Sequence, residues 1–327
     1  MKFRTEIIQD KSDMLIQHDQ PVITIGSCFA DNIAAKLNYH RFKLLSNPFG
    51  VLYNPASIYN SLKLVNESET FPEEELFEFN GRWHSFYHHS VFSGIDRKKV
   101  LDNINSKLNE TREFLKTCRF IIITLGSSYY FKHKNSGQIV SNCHKMPARE
   151  FSMEKLSVEE IFNYCDLITQ IVSGLNPGCS FIFSVSPIRY LKFGFTGNQQ
   201  SKAALILGLE KLLQKNKQCA YFPAYEIMID DLRDYRFYDT GLVQPNQQAV
   251  DYIWEKFCEN YLSEECKKAM YDIEKLNKAR EHRPFNPDTE EYQSFVKTQV
   301  DYILNLETRY PYLDLEKDKE FFMTQKK

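Results

Sequence analysis

In the run Val22-Ile23-Thr24-Ile25-Gly26-Ser27-Cys28-Phe29-Ala30, a hydroxyl and a thiol stand side by side directly after an apolar, β-branched stretch. A serine carried by a strand to the carboxyl edge of a sheet, with Gly26 permitting a sharp turn and helix amides opening behind it, stands where a nucleophile would. Those amides can also stabilise a developing oxyanion. The same spacing suits plain helix capping, since serine is a preferred N-cap residue and a helix-compatible stretch follows from Phe29 to Leu37. Cys28 is a rival nucleophile, because a thiol at a helix N-terminus is acidified, although a side chain adjacent to Ser27 is expected to point elsewhere.

Histidines are the other carriers of chemistry. His84, His88 and His89 cluster in Trp83-His84-Ser85-Phe86-Tyr87-His88-His89, and His84 and His88 share a face if that stretch is helical. No carboxylate or cysteine joins them at ligand spacing, so the expectation is a substrate wall and no metal. His144, in Asn142-Cys143-His144-Lys145, reads either as an ordinary loop histidine or as a base acting from another direction. Asp230, Asp231, Arg233 and Asp234 read as a solvated charged turn, or as groups that orient a site.

The whole chain bounds these options. It has 327 residues with 41 Lys plus Arg against 43 Asp plus Glu, a net charge of −2 that gives no electrostatic reason to expect nucleic acid or an anionic membrane. Residues 1–11 lack an apolar leader core and no apolar run approaches membrane-spanning length, so the expected location is cytoplasmic and the expected partner a small molecule. The eight cysteines form no C-x-x-C pair and read mostly as reduced core residues. The 25 Phe and 19 Tyr read mainly as packing, with some available for stacking on a sugar.

The elements that must position these groups alternate. Short, continuously apolar runs at 120–125, 180–185 and, more weakly, 220–223 join 22–26 as central strands of a sheet covered on both faces. Helical periodicity occupies 96–118, 158–175, 199–215 and 246–261. This rhythm predicts an α/β protein: a three-layer α/β/α sandwich with a mostly parallel sheet. Residues 46–94, rich in aromatics, Pro, Asn and His, read as an insertion forming part of a site wall. The main domain is expected over 1–262 and a helical extension over 263–327, with helices at 264–281 and 288–306, a break at Arg283-Pro284-Phe285-Asn286-Pro287 and fraying from Lys317 to Lys327.

The Gly26-Ser27-Cys28-Phe29-Ala30 string resembles the signature of the GSCFA family, and Asn47-Pro48-Phe49-Gly50, Thr124-Leu125-Gly126, Asn142-Cys143-His144-Lys145, Ser186-Pro187-Ile188-Arg189, Ser201-Lys202-Ala203 and Tyr221-Phe222-Pro223-Ala224-Tyr225-Glu226 agree with it. The resemblance covers roughly residues 1 to 262. That family looks like a branch of the SGNH or GDSL hydrolases, which implies a flavodoxin-like sandwich and a Ser-His-Asp site that cleaves or transfers acyl esters, often on carbohydrates or lipids, without a cofactor. On that resemblance Ser27 is the nucleophile, and its own amide and that of Gly50 are oxyanion donors.

The resemblance also implies departures. The usual Gly-x-Asn-Asp block reads Gly126-Ser127-Ser128, leaving Asn142 as a substitute donor or an ordinary turn residue. The late Asp-x-x-His block corresponds to Gly241 and Gln244, and glutamine cannot act as a base near neutral pH. Tyr190 stands where the Ser-Pro-x-Arg segment tends to continue with His. Replacement bases are His144, Asp239 or the 84–89 histidines, while Gly126, Ser127, Tyr190, His84 and His88 are expected to contact substrate. Two readings therefore remain: a serine ester hydrolase or acyltransferase acting on a small acylated molecule or sugar, and a catalytically impaired binding protein of the same fold. A weaker third gives the C-terminal helices an interaction role.

Overall fold

Strands β1 (Val22–Gly26), β2 (Leu44–Ser46), β5 (Phe120–Leu125), β9 (Ser180–Val185) and β10 (Cys219–Phe222) form one sheet in the order β10-β9-β5-β1-β2, every pair parallel. β1 and β5 are buried along their whole length, as strands covered on both faces must be. Counted along the sheet alone the order is 2-1-3-4-5, the flavodoxin-like arrangement, whose switch point lies between its first and third strands. The computed structural model describes residues 4–282 and 288–325. The expected break at Arg283–Pro287 falls outside them.

Strand alternation sends Ile23, Ile25, Ile121, Ile123, Phe181 and Phe183 to one face. There they meet α2 (Pro55–Glu67), α3 (Arg97–Thr117), α4 (Val158–Leu175) and α5 (Gly194–Lys215). Val22, Phe120, Ile122, Ile182 and Phe222 turn to the other face, against α1 (Cys28–Tyr39), the short α6 (Ala224–Glu226) with its π-turn continuation, and α7 (Gln247–Tyr261). The result is the expected three-layer sandwich.

The region 46–94 is more regular than its composition suggested. It contains α2, whose Ile58, Leu62 and Val65 are fully buried as part of the helical layer, and the hairpin β3 (Leu76–Phe79) with β4 (Arg82–Ser85). A further antiparallel sheet, not anticipated, joins β6 (Tyr129–His133), β7 (Ile139–Val140) and β8 (Phe151–Lys155).

Beyond the sandwich, α8 (Glu264–Glu281), α9 (Glu290–Arg309) and α10 (Glu316–Met323) build a small core of their own around Leu276, Val296, Ile303, Leu306 and Phe322. The expected fraying does not hold over the described residues 317–325, where α10 runs to Met323 with Phe322 fully buried and Asp318 almost so, and residues 326–327 lie outside the described residues. Asp318 accepts from Arg41, on the loop after α1, and from Arg280 of α8. Burial alone would raise this carboxyl, but the two guanidiniums hold it below the usual carboxylate range. Among the described residues no helix is long and apolar enough to cross a membrane.

A candidate ligand site at the carboxyl edge of the sheet

Ser27 leaves β1 at its carboxyl end and caps α1, its hydroxyl accepting from the Phe29 amide at 3.4 Å. The helix cap is thus present, and a cap at a strand end also faces the switch-point crevice. Gly26 makes the turn at φ +143°. Gly126 continues β5 alongside, so close that a Cβ there would lie 3.2 Å from the Cβ of Ser27.

A cavity of about 400 Å³ opens at this point. Ser27, Cys28, Gly126, Ser127, Asn142, Tyr190 and Gln244 line it together, so residues drawn from five separated segments of sequence converge. Tyr53, Asn54, Tyr129 and Phe131 supply much of the remaining wall. Such a mixture of apolar rings with a few polar groups is what a small-molecule site presents.

The expected histidines do not arrive. His84 lies in strand β4, not on a helix, so it and His88 share no helical face. Its Nδ1 pairs with Ser93 Oγ at 2.7 Å and its ring packs against His144 at a centroid distance of 4.6 Å. His88 is buried against Phe49, Phe71 and Phe92 with Nδ1 on Ser85 Oγ. His144 turns its Nε2 to the Ser85 carbonyl at 2.8 Å. Burial lowers all three, His88 to about 3 and His144 to about 4, so they are neutral buried groups near neutral pH. None of them lines the cavity.

The expected oxyanion donors are also occupied. The Ser27 amide donates to the Thr124 carbonyl at 3.0 Å and the Gly50 amide to Asn47 at 2.7 Å. Gly50 faces the His89 side chain, away from the cavity lining. The Gly126 and Ser127 amides both donate to the Tyr53 carbonyl, at 2.8 and 2.9 Å. Asn142 faces the cavity while its Oδ1 accepts from the His144 amide at 2.8 Å, the turn arrangement foreseen as one alternative.

Gln244 lines the cavity and Gly241 stands exposed at the edge of the same loop. That loop is organised by Asp239, whose amide donates to the Gln244 carbonyl and whose carboxylate accepts from the Val243 and Gln244 amides. The carboxylate is thus spent on its own turn. The 230–234 acidic group belongs elsewhere: Asp231 accepts from Tyr252 at 2.7 Å and borders a separate cavity with Arg4 and Arg236.

Two cationic residues near the site carried no role in the sequence reading. Lys202 of α5 is fully enclosed and donates to the carbonyls of Gly126 and Ser186, both at 2.7 Å, tying the ends of β5 and β9 together beneath the cavity. Burial without a facing carboxylate lowers it to about 7. Its neighbour Ser201 accepts from the Ser128 amide and hydroxyl at 2.8 and 3.0 Å. Arg189 lines the cavity, its guanidinium 4.0 Å from the Tyr238 ring centroid and its amide bonded to the Val243 carbonyl.

No curated protein matches the chain. Family models do: one for the GSCFA family covers residues 21–257, and one for the C-terminal domain of GSCFA proteins covers 273–327. The first spans the sheet, its helical layers as far as Phe257 within α7, and every residue of the cavity wall. The chain therefore belongs to the GSCFA family.

Proposed function

We propose that this chain binds a small acylated polar molecule, of the acyl-ester or acylated-sugar class, in the cavity that Ser27 lines, and that Ser27 contacts the ligand without the help of an imidazole base. The observation that carries this reading is the composition of the cavity wall. Among the described residues it holds Ser27 and Gln244 but no histidine, aspartate or glutamate, and His84, His88 and His144 are buried with partners outside its lining. A serine hydroxyl needs a positioned base for efficient attack, and glutamine has no titratable nitrogen to offer. The aromatic rings of Tyr53, Tyr129 and Tyr190 with the amides of Asn54 and Asn142 suit stacking and hydrogen bonding to a small polar ligand.

A second reading, acyl transfer through Ser27, is favoured by one observation: the hydroxyl caps a helix of 12 residues at the switch point, where a developing negative charge is stabilised. The two readings separate under a fluorophosphonate probe followed by mass spectrometry. The expected result is no adduct on Ser27 while an active serine esterase is fully labelled in parallel, with gain of short-chain esterase activity in the G241D/Q244H double variant. Rapid hydrolysis by the unaltered chain, abolished in S27A, would overturn the binding reading in favour of the second.

A further inference from the structure

Among the described residues, the lining of the cavity carries charge of one sign: Arg189 is the formally charged residue in it. Lys192 stands just outside the wall, its ammonium 4.5 Å from the ring centroid of Phe131, and Lys202 lies beneath Gly126 and Ser186. Two carboxylates beside the lining are engaged elsewhere: Asp239 accepts from two amides of its own loop, and Asp31 accepts from Asn47 at 2.6 Å. A chain with a net charge of −2 has thus set Arg189 and Lys192 at one pocket, with a basic amine, Lys202, beneath it, and among the described residues no acidic side chain is in its lining.

Arg189 is also held for recognition rather than for structure alone. Its guanidinium lies over Tyr238 at 4.0 Å and near Tyr235 at 5.2 Å, and one of its terminal nitrogens donates to the Leu242 carbonyl at 3.3 Å. Stacking of this kind fixes the plane of the guanidinium, and a single carbonyl uses only one of its five N–H donors. The same residue grips the loop that carries Gln244, through the Leu242 carbonyl and through Val243.

We propose that the ligand of this pocket bears an oxyanion, a carboxylate or a phosphate, and that Arg189 reads it. The inference rests on the pocket reading above and sharpens it: the acylated molecule is anionic, with its polar body against the Asn and Tyr wall and its negative group at the rim where Arg189 stands. A rigid fork with free donors recognises such a group in bidentate fashion, whereas a neutral sugar gains little from it.

The test uses the full chain and matched esters, phenyl acetate, 4-acetoxybenzoate and 4-acetoxyphenyl phosphate, titrated by ligand-observed NMR in a phosphate-free buffer. The expected result is about tenfold tighter binding of at least one anionic ester than of phenyl acetate, as a charge-assisted contact supplies. This preference should shrink between 0.05 and 0.5 M salt, vanish in R189M and return in part in R189K. The salt series needs no variant, so it stands even if R189M folds poorly. Carboxylate and phosphate are told apart by which anionic ester binds more tightly. Equal binding of all three esters, insensitive to salt, overturns the anionic inference and leaves the pocket reading intact. Failure of all three to bind overturns the pocket reading itself, and the inference with it.

Discussion

A Cβ on Gly26 would stand 2.2 Å from the carbonyl oxygen of Thr124, its paired residue on the neighbouring strand. That oxygen also accepts from the Ser27 amide, so the tight approach and the placement of Ser27 are one arrangement. With φ at +143° the position is strained for any L side chain besides. G26A is therefore expected to lose about 3 kcal/mol or more, combining backbone strain with overpacking. Urea denaturation measures it; a loss under 1 kcal/mol would contradict the geometry.

Removing the Asp318 carboxylate leaves Arg41 and Arg280 without the charge that both face. D318A should cost about 2–3 kcal/mol, below the usual figure for a fully buried pair because Arg280 is partly exposed. The loss should be seen in urea unfolding and as faster proteolysis of α9 and α10, with D318N intermediate. Unchanged cleavage there would show that the clasp does not hold these helices.

Acid should weaken the fold through its histidines. His18, His40, His84, His88 and His144 are all lowered by burial, His40 and His144 to about 4 and His88 to about 3. The unfolded chain binds their protons near pH 6.5 and the native chain does not, so stability is present above 6.5 and is lost as pH falls toward 4. At pH 5 the fully enclosed His88 alone accounts for about 2 kcal/mol, and the partly exposed ones for less. Urea midpoints at pH 7 and pH 5 provide the comparison, and equal midpoints would count against neutral, buried imidazoles.

Lys202 gives the opposite end of the pH scale a signature. Its native value lies near 7 and its unfolded value near 10.5, so between these limits the unfolded chain holds the extra proton and stability rises with pH. In K202M that rise should be absent. The difference between the two chains in stability against pH, from 7 to 10, isolates the lysine from the tyrosines that titrate in the same range. Parallel curves would place the ammonium in water instead.

Much of this architecture could be read from residue order. Central strands announce themselves because burial on both faces demands continuous apolar runs, and Ile121-Ile122-Ile123 leaves little choice. α2 was passed over although Asn54 and Pro55 form a standard helix start, because Pro, Asn and aromatic residues around it gave the segment the look of a loop. Ser27, Gly126, Ser127, Asn142, Tyr190 and Gln244 were all identifiable and all converge. His84, His88 and His144 lie outside the cavity lining, since a side chain's type does not reveal its direction: all three are buried elsewhere, and for His144 the sequence leaves the loop alternative open. Lys202 stands in a string that matches the family but has no role in the sequence reading, because a lysine on a helix is ordinarily solvated.

The clasp between Arg41 and Asp318 spans 277 residues of chain. At 5–20 residues per second a ribosome needs roughly 14 to 55 seconds to make that interval. Within that interval β5, β9 and most segments that wall the cavity are made, with the Arg41 guanidinium still waiting for its carboxylate. Pocket assembly and clasp closure are thus events separated in the birth of the molecule, and the last helices arrive as a seal on a sandwich already built.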